Sequence, residues 1–301
     1  MKKISVPVLV SFKKMTLKEK AKNAFKNSFI AIQHNNLIQA KYSMSLQQKR
    51  IMIWLVSQIK PTDEDFKEHT LSVKELIQQC DLSGESSYKQ LKDITFSLIE
   101  KGIRIIDITN PKEDVETQIS WLSSAKYRNG RVTLTFSPEL KPYLLLLKDR
   151  FTTINSIDLM QFKSVHAIRI YELLKQYQDI GERALGIDEI KECCGIKDKF
   201  KKYSDFEKYL LLIAQREINE KSDIHIEFER IKPSRKIEGI KFIISKNKVY
   251  ELRNNPVKET QEAKRKPPII DTLKEFGLSS RVRSEEHTSE LQSRQYLVCR
   301  L

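Results

Sequence analysis

Glycine and cysteine are scarce in this 301-residue chain, at eight and four residues. So few glycines leave little material for a phosphate cradle of Gly-rich turns, and no G-x-x-x-x-G-K-[ST] signature of a P-loop occurs. Four cysteines cannot form a disulfide framework at this length, which fits a reducing cytoplasm. Cys193 and Cys194 are adjacent and cannot reproduce C-x-x-C geometry. Cys80 and Cys194 fall near the ends of two short apolar helices and read as buried small hydrophobes. The five histidines (His34, His69, His166, His225 and His287) are scattered. None pairs at metal-ligand spacing, and there is no H-x-H, which argues against a metal-dependent DNA-nicking enzyme. No apolar run approaches the roughly 18 residues of a membrane span. Val6–Val10, behind a basic Met1–Lys3, is too short for the core of a secretion signal. No carboxylate pair stands out as catalytic. The expectation is a protein that is not an enzyme, with no cofactor and no metal.

What the chain does have is positive charge. Lys and Arg number 54 against 40 Asp and Glu, a net +14, and the pI is about 9.4. This points to an anionic partner, with acidic proteins and membrane surfaces as alternatives. With 40 % hydrophobic residues and charges mixed in sign, the chain is expected to fold. The excess is uneven: +7 through Lys26, +2 over 27–150, +3 over 151–253 and +2 over 254–282. Residues 1–35 read as a basic segment with a helix from Leu17 to about Gln33, opened by the capping box Thr16-Leu17-Lys18-Glu19. Residues 254–282 read as a linker around Lys264–Pro268, with a short helix at Ile270–Phe276. Arg283–Ser293 (RSEEHTSELQS) and Tyr296–Leu301 (YLVCRL) resemble in-frame translation of the constant parts of a sequencing adapter. Residues 283–301 are therefore read as an artefact and set aside.

Between these ends lie two modules of the same order. In the first (36–150), the capping box Ser45-Leu46-Gln47-Gln48 opens a helix to about Ile59. Ser72-Val73-Lys74-Glu75 opens a short helix ending near Cys80, and a third helix runs from about Ser87 to Lys101. Strands are expected at Ile103–Ile108, Thr117–Tyr127 and Arg131–Phe136, the last two joined by an Asn129-Gly130 turn. Ser137-Pro138 is expected to open a helix to about Lys148. In the second module (151–253), helices are expected at Ser164–Gln178 and Ile187–Cys194. A long helix to about Lys221 is expected to open on a Ser204/Glu207 capping box. Strands at Ile224–Ile231 and Gly239–Ser245 follow. Val73–Ile77 falls on Ile187–Lys191 at an offset of 114, and Tyr88 falls on Tyr203 at 115. Three helices followed by a hairpin is the winged-helix order, in which the third helix can enter a major groove. The fold expected is α+β, two tandem winged-helix domains related by an internal pseudo-repeat.

Several motifs sharpen this. They are Asn36-Leu37-Ile38-Gln39-Ala40-Lys41-Tyr42-Ser43-Met44-Ser45, Phe136-Ser137-Pro138-Glu139-Leu140-Lys141-Pro142-Tyr143-Leu144 with Arg150-Phe151-Thr152, Arg169-Ile170-Tyr171-Glu172-Leu173-Leu174-Lys175, and Glu217-Ile218-Asn219. In this order, across Asn36 to Ser245, the chain resembles the iteron-binding replication initiators of theta-replicating plasmids. The resemblance implies binding of directly repeated origin DNA as a monomer, and opening of adjacent A·T-rich DNA with the host initiator and replicative helicase machinery. It also implies repression of the chain's own gene by a homodimer on an inverted repeat, with no nuclease, ATPase or membrane role. The first winged helix would carry the dimer interface and auxiliary DNA contacts, and the second the main base contacts. A double winged-helix transcription regulator is the alternative. A protein-interaction module and a rolling-circle nicking enzyme are more distant rivals.

The candidate DNA contacts follow from placement. Lys199, Lys201, Lys202 and Tyr203 precede or open the reading helix of the second module, where backbone N–H groups also favour anions. Ser204, Lys208, Leu211 and Gln215 are expected outward, with Phe206, Tyr209, Leu210 and Ile213 inward. Asp205 either accepts from a cytosine N4 or complements the helix dipole. Lys232, Arg235 and Lys236 belong to the wing loop. The first-module equivalents are Ser86, Ser87, Lys89 and Lys92 on the helix, and Lys126, Arg128 and Arg131 on the hairpin. Arg169, Tyr171, Glu217 and Asn219 read as structural.

Overall fold

A computed structural model describes residues 30–60, 63–106, 115–147, 150–233 and 236–254. The expected N-terminal helix up to residue 29, Arg235, the linker from residue 255 and the adapter-like tail lie outside the described residues.

The first winged helix begins with α1 (Asn35–Gln39) and α2 (Leu46–Ser57). Ser45 and Gln48 form the expected capping box, with Ser45 Oγ accepting from Gln48 N and Gln48 Oε1 from Ser45 N. Next come β2 (His69–Ser72), α3 (Val73–Gln79) and α4 (Ser87–Glu100). The wing is formed by β5 (Leu122–Arg128) and β6 (Arg131–Phe136), in an antiparallel sheet of order β2-β6-β5. Asn129 and Gly130 both take positive φ, 48° and 70°. That is the two-residue turn whose twist matches paired strands. The expected single strand over 117–127 is broken at Trp121. Its first part, β4 (Glu116–Ser120), pairs instead with β3 (Gly102–Ile106).

The second winged helix repeats the plan. It comprises α6 (Ser156–Met160), α7 (Val165–Lys175), β8 (Glu182–Gly186) and α8 (Ile187–Cys193). The wing strands are β9 (Ile224–Ile231) and β10 (Gly239–Lys246), in a sheet of order β8-β10-β9. Between α8 and β9, α9 (Tyr203–Phe206), a π-helical turn (Glu207–Leu211) and α10 (Leu212–Lys221) follow one another as one continuous helix. Lys248–Asn254 is also helical.

The two copies match closely at first and then slip. The turn after α3 matches the turn after α8 at the same offset of 114. Leu82 N donates to Ile77 O, and Ile196 N to Lys191 O. The left-handed residues are Asp81 (φ 57°) and Gly195 (φ 64°). Cys80 and Cys194 take the same place and are both buried. Burial pushes each thiol up to about 12, as expected of cysteines acting as small hydrophobes. Leu91 then matches Phe206 at 115, but Leu98 matches Ala214 at 116. The extra residue is absorbed by the π-helical turn, which closes its hydrogen bonds over five residues instead of four.

Two expectations fail near the module boundary. Residues 30–34 form a strand, β1 (Ile30–His34), and not the end of a helix. They pair antiparallel with β7 (Phe151–Asn155). The helix expected to run from Ser137 to Lys148 is only a 3-10 turn (Pro138–Leu140) and α5 (Lys141–Leu144). Ser137 Oγ donates to Glu139 and does not cap the helix, and Leu146 turns left-handed at φ 49°.

A buried ionic network joins α7 to the segment 38–49 and to the end of α8. Arg169 on α7 donates to Ile38 O (2.8 Å) and Ala40 O (3.0 Å) of the first module, to Cys193 O (3.2 Å) and to Glu172 Oε2 (2.9 Å). Tyr42 lies with its ring centroid 4.2 Å from the guanidinium. Lys49 on α2 approaches Glu172 to 2.7 Å and donates to the Tyr42 hydroxyl. Four polar groups this deep persist because every charge has an opposite partner and a hydrogen bond. Nearby, a Cβ on Gly195 would lie 2.6 Å from Tyr42 O. The 36–45 and 169–175 motifs thus meet each other. In the same way Thr152 Oγ1 donates to Asn35 Oδ1, and Asn35 N to Arg150 O.

Candidate nucleic-acid interface

The continuous helix from α9 to α10 starts after Lys202, whose side chain makes no cap hydrogen bond. The expected Ser204/Glu207 capping box does not form. Both Glu207 oxygens instead lie 2.9 Å from Arg230 Nη2 on β9. Arg230 also faces the Tyr203 ring, 5.5 Å from its centroid. The Glu207 carboxylate raises the Arg230 guanidinium further above its ordinary range, and burial raises the Tyr203 phenol. This contact ties the wing strand to the first turn of the helix. Lys199, Lys201 and Lys202 are exposed just before that turn, and Lys232 is exposed two residues beyond Arg230. Lys236 is exposed on the far side of the loop.

Ser204 and Lys208 are exposed and Asp205 is half-buried. Gln215 is half-buried and its Nε2 donates to Ile226 O at 3.1 Å, so the amide already serves β9. Asn219 serves the same residue through both its donor and its acceptor. Glu217 accepts from Lys163 N and Ser164 N, and Tyr171 Oη donates to Asp223. The helix faces differ from the expected ones. Leu211 is buried, Ile213 is half-buried, and Tyr209 is 52 % exposed. The π-helical turn is the cause: it rotates all that follows by one residue. Tyr209, Leu212 and Arg216 are the outward residues the periodicity missed. The slip in repeat offset from 115 to 116 within the helix is the signal that would have found them.

A groove of about 690 Å³ lies between helix and wing. Glu207, Glu227 and Glu229 line it against one cation, Arg230, so its net negative charge is wrong for phosphate.

In the first module, Ser86 accepts from Gln90 Nε2, Ser87 is half-buried and Lys89 is exposed. Lys92 Nζ sits 4.7 Å from the Tyr88 ring centroid and 5.6 Å from that of Tyr127. These two rings meet edge to face, a brace between helix and wing like that made by Tyr203 and Arg230. Lys126 pairs with Glu68 at 3.0 Å. Arg128 and Arg131 face each other across the exposed wing tip.

Among the described residues there is no cluster of His, Cys, Asp or Glu able to hold a metal ion. No helix among them is long and apolar enough to cross a membrane. Two winged helices, each with cations at a helix start and along a hairpin, define a tandem winged-helix protein of the nucleic-acid-binding type.

Comparison with known proteins narrows the class. Residues 30–175 match the family described as "Initiator Replication protein, WH1", and residues 186–244 match "Initiator Rep protein, WH2". The chain belongs to this family of replication initiators. It is 25 % identical over 245 residues to a replication initiation protein of Escherichia coli, covering 77 % of this chain and 76 % of that one. An uncharacterized 27.6 kDa protein of Escherichia coli is 27 % identical over 165 residues, 50 % of this chain and 67 % of its own length. The crystal structure of the Pi initiator protein in complex with iteron DNA shares the fold. Its TM-score is 0.57 at 20 % identity, over 72 % of this chain and 97 % of that one.

Proposed function

We propose that the chain starts plasmid replication by binding directly repeated origin DNA through its winged helices. In this reading the second winged helix (within 151–253) reads bases and the first (within 36–150) carries the dimer interface and auxiliary phosphate contacts. The protein opens adjacent DNA with the host initiator and helicase machinery, and its homodimer represses its own gene. The observation that carries the reading is the Arg230–Glu207 contact. It holds the wing that continues into Lys232 beside the helix start that follows Lys201 and Lys202. Cations on two elements held in one geometry suit a phosphate backbone followed along a groove. The Pi initiator, of the same fold, was crystallised with iteron DNA, which supports the same partner here.

The test is duplex binding as a function of salt. Lys201, Lys202 and Lys232, replaced singly by Gln, should each weaken binding to specific and random duplexes alike. The slope of log K against log salt should fall by about 0.9 for each phosphate no longer neutralised. An unchanged slope in all three variants refutes phosphate binding at this face. Tandem repeats of about 20 base pairs beside the gene, two helical turns apart, favour the initiator over a regulator reading inverted repeats.

A further inference from the structure

The outward face of the reading helix is not purely polar. Tyr209 is 52 % and Leu212 48 % exposed. They share an exposed stripe with Lys208 and Arg216, at spacings of three and four residues, which are neighbours on a helix surface. Lys208 Nζ lies 5.0 Å from the Tyr209 ring centroid. Across the π-helical turn, Leu211 turns into the core beside Leu210, which leaves Leu212 in the outward stripe. The first module repeats the arrangement: Phe96, which falls on Leu212 at the offset of 116, is 59 % exposed on α4.

We infer that Tyr209 and Leu212 read thymine methyl groups in the major groove, flanked by Lys208 and Arg216. This rests on the proposed DNA reading and adds a specificity to it. The thymine 5-methyl is the apolar group on the base edges of that groove, and apolar side chains recognise it by contact. A leucine between two cations on a groove-sized helix matches that target. An apolar protein partner would leave Lys208 and Arg216 to be desolvated without counter-charges.

The experiment uses the full chain. Duplexes are first selected from a random library with the wild-type protein. Each thymine of the selected site is then replaced in turn by deoxyuridine, which removes only the methyl group. Wild type should lose about 4-fold in affinity at one or two positions, the worth of roughly one buried apolar carbon. Leu212→Ala and Tyr209→Ala should bind thymine and uracil duplexes equally at those positions. The DNA-side scan stands even if a variant folds poorly, since it is carried out with wild type. Indifference of wild type to every replacement, or a selected site without thymine, overturns the inference and leaves the DNA reading intact. Failure to select any sequence overturns both. Equal losses by Leu212→Ala on specific and random duplexes would also overturn it.

Discussion

Arg169→Ala tests how α7 is held against α1, α2 and α8. The guanidinium donates four hydrogen bonds, three of them to carbonyls and one to Glu172. Truncation strands the carbonyls of Ile38, Ala40 and Cys193 in a dry interior and leaves Tyr42 facing a void. Glu172 keeps Lys49, at 2.7 Å, so its charge is not orphaned. Removing one partner of a buried ion pair costs about 3–5 kcal/mol. Lys49 pulls towards the lower figure, while the stranded carbonyls and the cavity pull towards the upper. At roughly 2–4 °C per kcal/mol for a body of about 200 residues, the melting temperature should fall by about 6–20 °C. The assay is urea unfolding followed by tryptophan fluorescence. Trp121 is buried and meets Tyr42 edge to face at 5.0 Å, so it reports on this junction. Arg169→Lys should recover only part of the loss, because an ammonium cannot reproduce the planar fork. Replacing Arg169, Glu172 and Lys49 together by Met, Leu and Met should fill the cavity but not recover the whole loss, because the three carbonyls still lack a donor. A loss below about 1 kcal/mol for Arg169→Ala, within the range of an exposed pair, would refute the assignment of this network as the junction.

Gly195→Ala should destabilise by more than about 2 kcal/mol. It combines a left-handed backbone with a Cβ 2.6 Å from Tyr42 O. Asp81→Ala, at the matching turn of the first module, should cost about 1 kcal/mol or less because Asp81 already carries a Cβ there; equal losses at the two sites in urea unfolding would contradict the close approach. Burial raises the Asp158 carboxyl to about 7, against the opposing hydrogen bond from Tyr250. The folded state therefore keeps a proton that the unfolded chain releases near its ordinary value of 3.8. The stability from this group is full below that value and is lost as pH rises through about 7. Asp158→Asn should flatten the fall in unfolding free energy between pH 5 and 7.5, and an unchanged slope would assign it to another group.

Local chemistry carried most of the fold in the sequence. The caps at Ser45 and Ser72 and the Asn129-Gly130 turn each act within four residues, and each stands where it was expected. What escaped depends on distant partners. β1 reads as the end of a helix until β7, some 120 residues on, supplies its ladder. β2 and β8 are too short to announce themselves, and their pairing partners are β6 and β10. Glu207 reads as the cap of Ser204 because Arg230, which takes it instead, is 23 residues away. At the candidate interface, the lysines before the helix and on the wing were legible from charge and position. Tyr209 and Leu212 were not, because an apolar residue at helical spacing reads as core unless the turn between is known to be π-helical.

That turn also bears on how paired domains diverge. A helix fixed at its start by Glu207 and Arg230 and near its end by Asn219 and Ile226 cannot simply slide to accept one more residue. The extra residue is taken up as a local widening, and the core beyond it realigns with that of α4. Each residue after the widening therefore faces as its counterpart in the first module does, Leu212 outward like Phe96 and Ala214 inward like Leu98. One residue more in one copy of a duplicated helix is thus absorbed without turning the far half of that helix away from its core.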